Sequence, residues 1–357
     1  MEYCGIDAHS KSSAVCVIND KGEPLMLAKT PSTEEGLGRK VGMWDIYMPI
    51  VVEACSASRP VINHLRNIGF ENVITVNPQA TAQMRARGKK TDYVDAQGLA
   101  ELARLGLVDA WRVHIPSDWA QQMKDLLYER EFVIKHRVAI TNRVKALFRR
   151  EGKMSPSLKG ETGWRKIAQL LPQYKEEFDF FRRMRRQYLD REILLTGKIK
   201  KEVAKHPRYE LVKSVPNVGP LTASILLACI DDISRFRSAR ALASYFGIVP
   251  SVFQSGATEK TGSITRRGNS LARKFLAQAA HHSRYLSSPF NAVYRDISHR
   301  KSNSIAVMTV ARKIVTSVYA VMKHNEPFDP EKMGLIKVDR EVNFVRQYER
   351  THKVQAV

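Results

Sequence analysis

The sequence predicts an α/β fold at the N-terminus followed by an all-α remainder, and three observations carry that reading. Up to about residue 116, short β-branched runs alternate with stretches of helical periodicity. From about Asp118 the period becomes that of long amphipathic helices. The 357 residues are 43% apolar and 26% charged, ordinary for globular protein and too apolar for a disordered chain, and that length suits two or three domains.

In chain order, Tyr3–Asp7 reads as a first strand, Ala14–Ile18 as a second and Leu25–Thr30 as a third, with Asn19-Asp20-Lys21-Gly22 as the turn between the last two. Thr33 opens a helix to about Tyr47. Ile50-Val51-Val52-Glu53-Ala54 is a buried-strand run, Pro60–Ile68 a helix ended by Gly69, and Asn72–Val76 a fifth strand. A helix Asp92–Leu105 follows. Three antiparallel strands, then alternating helix and strand, is the order of the ribonuclease-H-like fold.

Two long amphipathic helices come next, Trp119 to about Arg150 and about Gln173 to Lys205, separated by a break containing Gly152, Pro156, Gly160 and Gly163. Joined by a turn, they make an antiparallel hairpin or coiled coil. The second carries Arg182, Arg183, Arg185 and Arg186, either a solvated face or a nucleic-acid contact. From Pro207 to about Lys323 the helices are broken by Gly and Pro. Ser214-Val215-Pro216-Asn217-Val218-Gly219-Pro220 before Leu221–Ile230 has the pattern of a helix-hairpin-helix, in which Asn217 and Gly219 would lie against a backbone phosphate; the alternative is a plain turn. The expected division is 1–117, 118–206, 207–326 and a polar tail, 327–357.

The 58 Lys and Arg outweigh 36 Asp and Glu to give a net charge of +22, which favours a polyanionic partner. No stretch reaches the ~18–20 uncharged apolar residues of a membrane span, and the N-terminus lacks a signal-peptide pattern, so a cytoplasmic, nucleoid-associated protein with no membrane partner is expected. Cys4, Cys16, Cys55 and Cys229 form no C-x-x-C pair and read as small buried hydrophobes.

Four carboxylates stand where such a fold would bring them together. Asp7 ends the first strand and Glu53 the fourth, which are neighbours in this strand order, while Asp92 and Asp95 open a helix that would cross above them. Phosphoryl transfer at a phosphodiester uses such oxygen-rich clusters to hold two divalent ions, and Mg²⁺ or Mn²⁺ suits them. Asp92 and Asp95 would otherwise be a cap and a first-turn acid complementing the helix dipole. Their spacing with Leu99 and Leu102 puts all four on one face, as a site facing the sheet requires. Arg85, Arg87, Lys89 and Lys90 immediately precede that helix and suit a substrate phosphate. Further along, residues 251–268 read as a loop rich in Gly, Ser, Thr and cations, including Arg266 and Arg267, that could present a hydroxyl beside phosphate.

Gly5-Ile6-Asp7-Ala8-His9, Glu53-Ala54, Lys90-Thr91-Asp92-Tyr93-Val94-Asp95-Ala96, Pro216–Ala223, Ser255-Gly256 and Gly262–Asn269 together resemble the DEDD transposases of insertion-sequence family one-ten, a group that includes Piv-type DNA invertases. The resemblance runs in order from about residue 3 to 324. It implies a RuvC-like N-terminal domain, a coiled-coil middle and a C-terminal transposase domain. It also implies Mg²⁺ on Asp7, Glu53, Asp92 and Asp95, and a serine that becomes joined to a DNA phosphate. By motif position that serine is Ser255, with Ser251 and Ser263 as neighbours. Donor and target DNA, a structured guide RNA, and a dimer or tetramer whose sites combine acids of one copy with the serine of another are implied as partners. Cys55-Ser56 after Glu53-Ala54 departs from the small residue and glycine common in the family. A metal nuclease acting on DNA junctions without serine chemistry, a protein-directed invertase and a non-catalytic nucleic-acid scaffold are the alternatives.

Overall fold

In a computed structural model of the chain, residues 1–80, 91–255, 258–266, 268–285 and 289–332 are described, with the backbone alone at 252–255 and 258–261. The chain divides into two units, Met1–Ile115 and Pro116–Val357.

The first unit is built on strands β1 (Tyr3–Ala8), β2 (Ser12–Ile18), β3 (Pro24–Pro31), β4 (Ile50–Glu53) and β5 (Val73–Val76). They form one sheet in the order β3-β2-β1-β4-β5, antiparallel among the first three and parallel across β1-β4-β5. The β2–β3 turn forms as its residues suggest: the Asn19 side-chain oxygen accepts from the amides of Lys21 and Glu23, and Gly22 takes φ 82°. Alternation along β1 assigns the faces. Cys4, Ile6 and Ala8 join Val15, Val17, Ile50 and Val52 in a core under α1 (Glu34–Val41) and α2 (Ser58–Ile68). The opposite face, with Ala14, Cys16 and Val51, is covered by α3 (Asp92–Arg104) through Ala96, Leu99, Ala100 and Leu102. Gly5 is the contact point. A Cβ there would lie 2.0 Å from the Ala96 carbonyl oxygen, so only glycine lets α3 lie this close to β1.

The helix expected to reach Tyr47 ends at Val41 instead. Gly42 caps it, and the Asp45 side chain then accepts from the Tyr47 amide in a turn that competes with helix.

The second unit contains α4 (Asp118–Arg150), α5 (Glu161–Leu170), α6 (Lys175–Ala204), α7 (Tyr209–Lys213), α8 (Pro220–Ile230) and α9 (Ala239–Tyr245). After the hairpin of β6 (Pro250–Ser255) and β7 (Thr258–Ile264) come α10 (Ser270–His282), α11 (Pro289–Arg300) and α12 (Asn303–His324). Helices α4 and α6 pack antiparallel. Phe148 meets Phe178 at one end, with ring centroids 6.0 Å apart, while Met123 and Leu127 share a cluster with Ile199 and Val203 at the other. Helix α5 lies where a break was expected; its short Trp164 and Ile167 stripe follows Gly160 and Gly163 in sequence, but Trp164 is buried and donates to the Leu158 carbonyl. Helix α8 is buried almost all round, and buried residues of α12 belong to the same core. By length and composition α12 is apolar enough to cross a membrane; it carries Arg312 and Lys313, and Val310, Ile314 and Val318 are buried in this core. Phe328, placed in the tail by the sequence, also packs against it, and its amide donates to Ser214 Oγ.

The segment read as a loop at 251–268 is largely the β6–β7 hairpin, paired from Pro250–Ile264 to Ser255–Thr258. Its β-branched and aromatic residues, Val252, Phe253, Thr258, Thr261 and Ile264, favour strand despite the glycines.

Candidate active site

The sheet sets two of the four acids on the face that α3 covers. In β1, Asp7 follows Gly5 by two residues, and in β4, Glu53 follows Val51 by two. The parallel register pairs Gly5 with Val51 and Ile6 with Val52, so the next step sets Asp7 beside Glu53. Helix α3 supplies the other two. Thr91, and not Asp92, is its N-cap, accepting from the Val94 amide through its side chain. Asp92 and Asp95 therefore fall in the first turn, with Asp95 only 4% exposed on the sheet side and Asp92 at the rim.

Two residues complete the cluster that the acid pattern did not single out. His9 Nε2 lies 3.4 Å from Asp7 Oδ2 and 3.5 Å from Asp92 Oδ1, and Lys29 Nζ lies 3.3 Å from Asp92 Oδ2. Both were legible from strand geometry. His9 lies two residues past Asp7, and Lys29 belongs to the cross-strand row Asp7–Ala14–Lys29. Burial pushes the Asp7 carboxyl above the usual aspartate value; His9 opposes this, and Glu53, Asp95 and Asp92 push it further up. Asp92 is held below the usual value, chiefly by its hydrogen bond from Lys29. One oxygen of Asp7, one of Asp92 and a ring nitrogen of His9 lie within 4.8 Å of one another. Two carboxylates and an imidazole converging in this way fit a divalent cation, with oxygen donors favouring Mg²⁺ or Mn²⁺.

Residues 4–151 match a DEDD-type transposase family model, and residues 209–295 match one described as Transposase IS116/IS110/IS902 family. The chain belongs to this transposase family. Among its relatives is the transposase for insertion sequence element IS1111A of Coxiella burnetii, 25% identical over 353 residues, which cover 92% of this chain and 91% of the relative. The mini-circle putative transposase for IS117 of Streptomyces coelicolor is 25% identical over 75% of this chain and 81% of its own. The pilin gene-inverting protein of Moraxella bovis is 34% identical over 125 residues, 34% of this chain and 39% of the relative. The chain is thus a DNA-processing enzyme, and its DEDD domain points to use of a divalent metal.

The other expected residues are distributed unevenly through the transposase. Arg85, Arg87, Lys89, Lys90 and Arg267 lie outside the described residues. Within the arginine cluster on α6, Arg182 pairs with Glu161 and Arg186 with Asp190, while Arg185 lies over the Trp164 ring at 5.6 Å. Burial lowers the Arg185 pKa, and its Nε is enclosed without a hydrogen bond, so this member belongs to the packing of α5 on α6. Arg183 lines the same shallow cleft as Arg182 and Arg186. Asn217 takes φ 66° in the turn before α8 and donates to Ser283 Oγ at 2.7 Å, whereas Gly219 is the α8 N-cap and faces open space. Ser255 ends β6, and Arg266, at φ 55°, follows β7. Of the cysteines, Cys4, Cys16 and Cys229 are buried as expected, but Cys55 is exposed and donates to the Ala8 carbonyl.

Proposed function

We propose that this protein is the transposase of an insertion sequence and that it cleaves and exchanges DNA strands through a serine-linked intermediate. The convergence of Asp7, His9 and Asp92, with Glu53 on the adjoining strand and Asp95 beneath the helix start, is the observation that supports it most. In this reading the sheet unit is ribonuclease-H-like of the RuvC kind, its strand order agreeing with that fold, and α4 with α6 forms the coiled coil before the C-terminal transposase domain.

Asp7, Glu53, Asp92 and Asp95, joined by His9, would hold Mg²⁺ or Mn²⁺, which when bound neutralises phosphate charge and favours displacement at phosphorus. Lys29 keeps Asp92 ionised and ready to coordinate. Burial and the neighbouring carboxylates raise the Asp7 pKa, and a bound cation would oppose that rise. The Ser255 hydroxyl attacks phosphorus; a serine–phosphate ester forms, one phosphate ester bond to deoxyribose breaks, the serine proton leaves, and the departing oxygen takes up a proton. Arg85, Arg87, Lys89, Lys90, Arg266 and Arg267 would contact DNA phosphates, as would the turn at Asn217 and Gly219. A structured guide RNA, which the net charge of +22 can accommodate beside DNA, would direct the reaction within a dimer or tetramer.

A suicide DNA substrate incubated with the protein and Mg²⁺ tests the chemistry. A covalent protein–DNA adduct that Ser255→Ala abolishes is the expected result, and strand exchange undiminished in Ser255→Ala overturns the serine step. Mixing Asp7→Asn chains with Ser255→Ala chains should restore activity if copies share sites. Sequencing RNA that co-purifies with the protein tests guidance: a discrete species with loops complementary to two DNA sites is expected. The higher identity to the pilin gene-inverting protein favours a second reading, a protein-directed invertase, which the absence of such RNA would select.

A further inference from the structure

The hairpin that carries Ser255 has a cleft at its base. Its volume is about 970 Å³, and it lies between the Pro250 and Ile264 ends of β6 and β7 and the first three turns of α12. Arg266, Lys301 and Arg312 line it, with His281 beside them and, among the described residues, no carboxylate. None of the three permanent cations forms an ion pair among the described residues, unlike Arg182 and Arg186 on α6. Ile264, Ile305 and Met308 supply an apolar surface between these charges, and Ile305 is 47% exposed although it stands in the first turn of a core helix. Asn303, Ser304 and Thr309 add hydrogen-bonding groups.

Charge and shape together narrow the ligand. Three cations with no counter-carboxylate among the described residues call for an anion of more than one charge. An apolar floor among them calls for a flat, weakly polar body attached to that anion. A duplex backbone would satisfy the cations but leave the apolar surface facing water. An unpaired nucleotide satisfies both, its base lying on Ile305 and Met308 and its flanking phosphates on Arg266, Lys301 and Arg312.

We propose that this cleft binds an unpaired nucleotide of the DNA strand that the transposase processes. The proposal rests on the reading of the protein as acting on DNA, and it adds a strand-separated substrate to that reading. From Pro250 to Ser255 the strand advances about 17 Å at ~3.3 Å per residue, so a DNA strand seated in the cleft and following β6 reaches the hairpin end that bears Ser255.

Fluorescence anisotropy with the full chain tests this, using a labelled twelve-nucleotide thymidine strand, a blunt twelve-base-pair duplex and a twelve-nucleotide uridine strand. Ile305→Ser removes the apolar floor at an exposed position and keeps every charge. It should weaken thymidine-strand binding about tenfold, on the order of a lost base contact, with duplex binding and melting temperature unchanged. Lys301→Ala with Arg312→Ala should also weaken it and reduce the salt slope of single-strand binding by about 0.7 for each phosphate contact removed. Equal weakening for strand and duplex overturns the unpaired nucleotide. An Ile305→Ser effect confined to the uridine strand assigns the cleft to RNA and overturns the DNA assignment. Wild-type binding that neither variant alters overturns the cleft alone, whereas a wild-type chain that binds none of the three overturns the DNA reading and the proposal with it.

Discussion

Two groups of partly enclosed charges sit in different parts of the molecule, and they are settled in opposite ways. Between α4 and α6, Glu192 lies 2.8 Å from Arg137 and 3.6 Å from Arg130, and Arg130 also donates to Thr196 at 2.8 Å. Opposite charges meet inside the chain, and the group joins two helices. At the ends of β1 and β4, by contrast, burial raises the Asp7 pKa, His9 opposes the rise, and three other carboxylates add to it. Like charges on converging elements weaken the fold on their own and become favourable when a cation joins them. Charge that is complete within the chain marks structure. Charge that is incomplete marks a place for a ligand.

This contrast can be broken most severely at Asp7. Asp7→Asn should lower metal-dependent DNA cleavage on the order of 10³-fold, measured as initial rates on a labelled substrate, because it removes charge at the reacting centre and leaves the neighbouring fold intact. Glu192→Ala should act on stability instead: about 3 kcal/mol lost in urea unfolding, as two enclosed guanidiniums are left without their carboxylate. A Glu192→Ala protein as stable as wild type would mean that the helix pair does not depend on this group. Mn²⁺ at about 100 times its dissociation constant should stabilise the wild type by about 2.7 kcal/mol and Asp7→Asn by much less, read as shifts in melting temperature. Gly5→Ala should cost about 2 kcal/mol and reduce cleavage as well, because α3 must move off β1 and takes Asp92 and Asp95 with it. The smallest effect is on pH dependence. As pH rises from the ordinary aspartate value through the raised Asp7 value, the unfolded chain has already released the proton that the folded chain still holds. Metal-free stability should therefore fall across that window, and the fall should be absent from Asp7→Asn.

Much of the acid-bearing unit was legible in the sequence because its elements are short, alternate strictly and carry their own turn and cap residues. Asn19 to Gly22 and Thr33 act locally, and local signals survive without knowledge of the rest of the chain. Asp7 and Glu53 were legible for the same reason, each being a charge at the end of a buried-strand run. Lys29 was missed because it owes its place to pairing across β2, which couples residues far apart in the chain, and His9 because only the fold brings Asp92 to it. The β6–β7 hairpin was missed because its glycines, serines and threonines suit a loop, and only the pairing of Pro250 with Ile264 reveals the β-branched positions as strand. The arginines of α6 show the opposite error, in which a conspicuous run of charge conceals residues that pack. Nothing local distinguishes Arg185, lying over Trp164, from Arg183 beside the cleft.

The exposed thiol of Cys55 turns this arrangement into an experimental handle. It stands two residues after Glu53 and donates to the carbonyl of Ala8, the residue that follows Asp7, while the other three cysteines are buried. A maleimide dye or spin label applied to the unmodified protein would therefore attach beside the carboxylates without any engineered cysteine. Cation loading and DNA arrival could then be followed optically or magnetically from a single native position, before any bond in the DNA is broken.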